Sequence, residues 1–576
     1  MNEAMLKMQT QQTKLCIRYL LEKENLATDG GRLLLWAAQD KLATPFSILM
    51  EKEGKVKYDE LDPTTGRSVL HFAADAGFEE MATQILERWT PHERETLVDL
   101  SDVNGTTALL LAASRGYKSI IEKLVEFKAD IEVKDQNQRT PLSWAAENGH
   151  AAAVKELLIR GARPDVVDGD PEQSILARVA KNGNVAVASL LMEGEHGATL
   201  GLRGASDQTT TSIAISHGRT TIVQLFLDKG ADPNGVNSVD GYTFLCDAVI
   251  FDQKEIAKLL LDKGANIERP SGSYDRTPLS LAASNGNCTI IGLLLDEQAN
   301  IESKDSDGRT PLMLAAWFGH LDAVTLLINN GAKFSVANND KDSALSLAAD
   351  GDHKDVIHAI LDEGLKTGKQ QPMLHLESTI LWASKIGDQQ IVEKLLNLGT
   401  NVDVKNTTGS TPLMEASKEG NLDVIKLLLD HGADAEQKNS ELETPLHCAS
   451  FKGSEETVSL LLEKRVQIDA RTQSKSTALL LAVQEGHEGV AKLLLKAGAD
   501  PNAENDAKET PLYWACNQGS DDIVQVLLSR HANTNPTPAN GSTPLLESIK
   551  EQNTAISMAI GFGPFPYELQ RWRQVL

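Results

Sequence analysis

Residues 411–434 read TPLMEASKEGNLDVIKLLLDHGAD, and the chemistry of this stretch sets out two short helices and the breaks that bound them. Thr411 before Pro412 is a helix start. The hydroxyl can cap amide groups that have no partner in the first turn, and Pro at the first helical position lacks a donor that would go unused. Ala on the following turns keeps this first helix slim. Gly420 ends it, because the left-handed conformation that closes a helix is easiest for Gly. In the second helix Val424, Leu427 and Leu428 recur at helical spacing and form an apolar stripe that must be covered. Gly432 closes that helix, and Asp-x-x-Gly segments such as Asp305 to Gly308 make the turn into the next stretch of the same kind.

The frame repeats along almost the whole chain. Thr140-Pro141-Leu142 through Gly149-His150 is followed by Val154, Leu157-Leu158 and Gly161-Ala162, and the pattern returns at Thr277, Thr310, Thr444, Thr477, Thr510 and Thr543, mostly 33 residues apart. Weaker copies at Ser68, Thr107, Ser174, Thr209, Thr243, Ser343 and Ser378, with a degenerate first copy from Arg32, bring the count to sixteen. No helix pair of this size buries its stripe alone, so each copy depends on its neighbours. The expected fold class is an all-α repeat solenoid, a curved superhelix of helix-turn-helix copies joined by hairpin-like turns. Its array covers residues 31–560, between an amphipathic helical cap over 1–30 and an irregular tail over 561–576. Leu15, Ile17, Leu20 and Leu21 give the cap its pattern, which would equally suit a partner-binding helix. Copies lacking the Thr-Pro start, and the six residues added between Arg88 and Asp102, mark places where local stability should dip.

Three segments carry a resemblance. Thr444-Pro445-Leu446-His447-Cys448-Ala449-Ser450, Gly319-His320 and Leu428-Leu429-Asp430-His431-Gly432-Ala433-Asp434 resemble the T-P-L-H-x-A-A, G-H and L-L-x-x-G-A-D segments of the ankyrin repeat, in register over residues 31–560. The array, with a copy starting Leu34-Leu35-Trp36-Ala37-Ala38, is similar to the long ankyrin arrays common in filamentous fungi. The resemblance implies a turn and two antiparallel helices per copy, and binding of other proteins along a concave groove. It also implies a structural place for His447, whose imidazole would tie turn to helix, so that His447 beside Cys448 is not read as a nucleophile pair.

Composition narrows the function further. With 81 acidic against 56 basic residues, the net charge of -25 repels nucleic acid and anionic lipid, so neither direct DNA or RNA binding nor membrane association is expected. The five cysteines are scattered without a C-x-x-C pair, which points to a reducing compartment, cytoplasmic or nuclear, and to no zinc site. Gly364-Leu-Lys-Thr-Gly368-Lys369-Gln370 has the look of a phosphate loop, but its leading Gly is displaced and Gln370 stands where a hydroxyl should meet magnesium. No catalytic residue, cofactor site or metal site is therefore assigned, and with about 30 residues before the array and about 15 after it a separate catalytic domain is not expected. The expected function is a non-enzymatic scaffold or adaptor for other proteins, acting as a monomer. Alternatives are a regulatory subunit, such as a transcription co-regulator working through a DNA-binding partner, and a regulatory partner of an enzyme supplied in trans.

Position within the frame suggests where such a protein would hold its partner. Trp36, Trp144, Trp382 and Trp514 fall four residues after the Thr or its equivalent, where other copies carry Leu, and are expected in the core. Trp317 and Phe318 fall seven and eight residues after Thr310, where most copies are polar; the same slots hold Ile250 and Phe251 two copies earlier. The residue before the Thr is Tyr242, Arg276 and Arg309 in three successive copies. Exposed aromatics beside Arg are what interface anchors look like, so Tyr242, Ile250, Phe251, Arg276, Arg309, Trp317 and Phe318 form the candidate partner-binding patch. Packing of Phe251 and Trp317 against neighbouring helices is the alternative. The turn tips also change sign, from Arg67, Arg139, Arg276 and Arg309 to Asp342, Glu377, Glu443 and Glu509, as they would if the two halves favoured differently charged partners.

Overall fold

The computed structural model describes residues 26–39, 59–164, 174–193, 209–237, 241–367 and 375–536, together with Phe46, Leu49, Met50 and a few residues up to 547. Most of the expected N-terminal cap and the whole tail 561–576 lie outside the described residues. Among the described residues there are thirty helices and no strand, only isolated antiparallel bridges such as Leu61 to Ser68 and Val236 to Thr243 at the bases of turns. Two compact units divide the chain, residues 1–282 with 289–300 and residues 283–288 with 301–576.

Each unit is a stack of helix pairs. In the first, pairs such as Ala108–Arg115 with Lys118–Glu126 and Pro141–Glu147 with Ala151–Ile159 follow the helix Leu26–Gln39. The second runs from Pro311–Trp317 with Leu321–Asn329 to Pro511–Asn517 with Asp521–Ser529. In most copies the hydroxyl before the first helix caps it as expected: Thr140 Oγ1 accepts from the Ser143 amide at 3.3 Å and Thr411 Oγ1 from the Met414 amide at 3.4 Å. Pro is not needed for this, since Ser174 accepts from the Ala177 amide at 3.1 Å and Thr243 from the Cys246 amide at 3.2 Å. Small residues such as Ala145, Ala146, Ala315 and Ala316 are fully buried, so second-helix side chains such as Val154, Leu157, Val324 and Leu327 close over them.

Two kinds of polar tie join one copy to the next. At the end of each first helix the last carbonyls have no partner within the helix. A side chain from the following copy supplies one: His150 Nε2 donates to Ser114 O at 3.0 Å, His320 to Ser284 O at 2.9 Å, His353 to Trp317 O at 2.9 Å and His487 to Phe451 O at 2.9 Å. Where His is absent, Arg219 and Asn421 make the same bond to Lys181 O and Ser384 O, each at 2.9 Å. The ring lies directly on the Gly that ends the helix, so Gly319, left-handed at φ 74, could not carry a Cβ without striking His353. The second tie lies in the turns, where a side-chain oxygen accepts the backbone amide 31 residues on: Asp99 from Asp130 at 3.0 Å, Asp403 from Asp434 at 3.1 Å, Asp469 from Asp500 at 2.9 Å.

Two expectations need correction. The Trp residues at the fourth frame position are not core: Trp36 is 45% exposed, and Trp144, Trp382 and Trp514 are half-buried. Leu314 disappears entirely at that position, but an indole is too large for the space and extends to the surface, where Trp144 Nε1 donates to Asp135 at 3.1 Å beneath the Arg139 guanidinium. Ser378 does not cap its helix, which begins earlier as Leu376–Ile386 after a left-handed His375; with no Pro to fix the first position, Ser378 Oγ bonds back to His375 O at 3.0 Å. The added residues near Arg88 form a helix, Pro91–Leu97, capped by Thr90 and Glu93. It is anchored by buried Trp89 and Val98 and by Arg94, which donates to Leu86 O at 3.0 Å. The stretch Gly364 to Thr367 is likewise helical, the end of Lys354–Thr367.

Most of the described turns before a first helix carry a left-handed residue, supplied by Gly308 and Gly409 in two copies and by exposed Leu442, at φ 58, in another. A side chain in this conformation costs about 1–2 kcal/mol, partly offset by the greater entropy that Gly loses on folding. Leu442→Gly is therefore predicted to raise stability by about 0.5–1 kcal/mol. Urea denaturation followed by circular dichroism checks this, and a drop in the midpoint contradicts it.

Candidate protein-binding face

The first helix and the turn before it present a repeating surface slot. The residue just before the starting Thr or Ser lies beside the residue seven positions after it, on the outer turn of the same helix. Arg67 Nη1 is 3.1 Å from Asp75, Arg139 Nη1 is 3.6 Å from Glu147, and Lys418 Nζ donates to Ser410 Oγ at 3.1 Å. In the copy starting at Thr310 the acid is replaced by an indole, and the Arg309 guanidinium sits 4.3 Å from the centre of the Trp317 ring. Arg309 also pairs with Asp307 at 2.9 Å, which holds it over the ring.

The structure brings together three of the seven expected residues in the second unit. Trp317 and Phe318 stack with centroids 5.7 Å apart, and Phe318 stacks in turn on His320 at 6.3 Å. Trp317 is half-buried and Phe318 is 47% exposed, so neither is taken up by the core. In the first unit, Tyr242 lies against Gly272, where an added Cβ would be 2.5 Å from its ring, and Arg276 stacks on Tyr274 at 5.0 Å. Phe251 is 43% exposed beside half-buried Ile250. Two members of this surface escaped the sequence reading. Tyr274 belongs to a turn with no fixed frame position. Phe451, 56% exposed, did carry a signal, since it lies seven residues after Thr444 in the slot that Trp317 fills.

His447 and Cys448 are placed for structure. The Thr444 amide donates to His447 Nδ1 at 3.1 Å, so the proton sits on Nε2, which donates to Ala470 O at 2.9 Å in the turn of the next copy. His71 does the same between Ser68 and Thr106, at 3.2 and 3.0 Å. Burial holds both imidazoles below their ordinary pKa, and burial pushes the Cys448 thiol up to about 12, far from a nucleophilic thiolate. Among the described residues no group of His, Cys, Asp and Glu is arranged to hold a metal ion, and no helix is long and apolar enough to cross a membrane.

A family model described as ankyrin repeats (3 copies) matches residues 70–168, 176–271, 279–371, 345–439, 380–472, 434–505 and 479–559. The chain belongs to the ankyrin-repeat family. No curated protein matches it. Ankyrin repeats are generally protein-protein interaction modules and typically non-catalytic, which agrees with a face where aromatic and charged side chains project while His and Cys are built into the stack.

Because His71 and His447 are buried neutral, their unfolded forms bind protons more readily. Their stabilising contribution is complete above about pH 6.5, the unfolded value, and is lost as pH falls through the depressed folded values. Over that window the unfolding free energy of His447→Gln is predicted to fall with acidification more gently than that of the wild type, by up to about 1.4 kcal/mol per pH unit. Equal slopes in urea titrations between pH 7 and about 5 would show that the imidazole is not held neutral by the fold.

Proposed function

We propose that this chain is a scaffold or adaptor that holds partner proteins on the first-helix and turn face of one array spanning residues 31–560, in a reducing compartment such as the cytoplasm. The observation that carries this reading is the stack of Trp317 on Phe318 under Arg309, left at the surface while Leu314, three residues before Trp317 on the same helix, fills the core. Aromatic and Arg side chains dominate the energetics of protein interfaces, and a Phe318 ring left 47% exposed adds little to the fold itself. Tyr242, Ile250, Phe251 and Arg276 form a candidate surface of their own in the first unit, and Phe451 adds to that of the second. Cys246, Cys288, Cys448 and Cys516 are all free thiols, which supports the reducing compartment.

The test uses a partner isolated on the full-length wild-type chain. Titration calorimetry against Trp317→Ala, Phe318→Ala together is predicted to show a loss of about 2 kcal/mol or more, roughly a thirtyfold weaker complex, with the thermal midpoint little changed. An unchanged affinity contradicts the assignment of these two residues as the anchor.

A further inference from the structure

The slot formed by the residue before each helix and the residue seven after its start holds at most one acid in the other described copies, but one copy places an acid in both positions. Arg67 faces Asp75 at 3.1 Å and Arg139 faces Glu147 at 3.6 Å, so each places a guanidinium on the carboxylate of its own helix. In the copy that starts at Ser343, Asp342 stands in the position of the Arg and Asp350 in the position of the acid. Among the described residues no Lys or Arg lies within ion-pair distance of either, the adjacent Lys341 included. Asp342 Oδ2 accepts only a 3.4 Å bond from Asn338 Nδ2, and Asp350 is exposed. Partial burial and then the charge of Asp342 push the Asp350 carboxyl above its ordinary value, as two carboxylates without a shared cation should do.

This acidic pair is next to the aromatic stack, and a hydrogen bond keeps it there. His353, two residues beyond Gly351, donates to Trp317 O at 2.9 Å, and a Cβ on Gly351 would lie 3.0 Å from that same carbonyl. The end of the helix carrying Asp350 is thus locked to the end of the helix carrying Trp317. Two carboxylates with no cation of their own, beside the 47% exposed Phe318 ring, favour a cation, which gains from both acids while the ring offers an apolar neighbour.

We propose that the Trp317–Phe318 stack, bordered by Asp342 and Asp350, is a docking surface for a basic segment of a partner protein. An Arg or Lys of that segment takes the place that Arg67 and Arg139 fill within their own copies, and an apolar neighbour of it packs on Phe318. The proposal rests on the reading of this face as a protein-binding surface and adds the chemistry of the occupant. The net charge of -25 draws such a segment in from a distance, while the paired carboxylates fix where it settles.

Fluorescence anisotropy with the full chain tests it, the probes being a short labelled peptide of Gly-Arg-Leu-Ser repeats and its counterpart with Glu in place of Arg. The Arg peptide is expected to bind and the Glu peptide not to bind. Asp342→Asn with Asp350→Asn should weaken the Arg peptide about tenfold or more. Glu455→Gln with Glu456→Gln, which removes the same charge from a second helix elsewhere, should leave it unchanged, separating docking from general attraction to an acidic chain. Failure of the Arg peptide to bind, equal loss in both double variants, or binding of the Glu peptide at equal strength overturns the proposal. If only Trp317→Ala with Phe318→Ala weakens binding, the basic occupant is wrong and the interface reading stands; if neither that variant nor Asp342→Asn with Asp350→Asn does, both fail.

Discussion

Many first helices in the described stack end with carbonyls that their own turn cannot satisfy, and a side chain at the start of the next copy's second helix closes one of them. His353 on Trp317 O at 2.9 Å shows what this bond demands. The helix below must end at a left-handed Gly319 so that the ring can lie flat on its backbone, and the ring must come from the start of the following second helix, where the chain reverses. A buried carbonyl left without a partner costs about 1–3 kcal/mol, whereas the bond itself nets about 1 kcal/mol, so the tie acts mainly by making separation of neighbours expensive. Dispersion and apolar burial between small layers supply the bulk of the stability; the imidazole or amide supplies the register.

Because the backbone register is set at the end of the helix, the side chains on the outer face are free to change without disturbing the stack. The slot beside the turn illustrates this. It holds Arg with an acid in the copies at Ser68 and Thr140, Arg with an indole at Thr310, two acids at Ser343 and Lys with Ser at Thr411, while the capping geometry beneath scarcely differs. A stack built this way separates two jobs that share a surface in a single globular core. Ala, Leu and Val hold the layers together, and the exposed pair in each layer sets what the layer can recognise.

Much of this was legible in the sequence because the deciding residues are local. Thr before Pro, Gly after nine residues and the Leu-Leu stripe act within a few positions of themselves, so they announce helix starts, ends and buried faces directly. What depends on volume or on distant partners was not legible. Frame position alone put Trp144 and Trp36 in the core; only the space beside Ala145 and Ala37, which fits Leu but not an indole, moves them to the surface. The helix in the inserted segment after Arg88 was not foreseen because its anchor, Arg94 on Leu86 O, is a folded-state contact. Within the candidate site, the exposure of Trp317 and Phe318 followed from position, whereas the stack between them and the acidic pair beside it needed the geometry of the neighbouring copy.

If closure by the following copy is what holds the layers in register, its loss should be felt locally. Hydrogen exchange followed by mass spectrometry on the full chain carrying His353→Ala measures this directly. The account predicts faster exchange in Pro311–Trp317 and Ala344–Asp350, the two helices joined by the His353 bond, with the distant helices Pro445–Lys452 and Ala478–Gln484 as protected as in the wild type. Unchanged protection at Trp317 and its neighbours, or an equal loss across all of these helices, would contradict it.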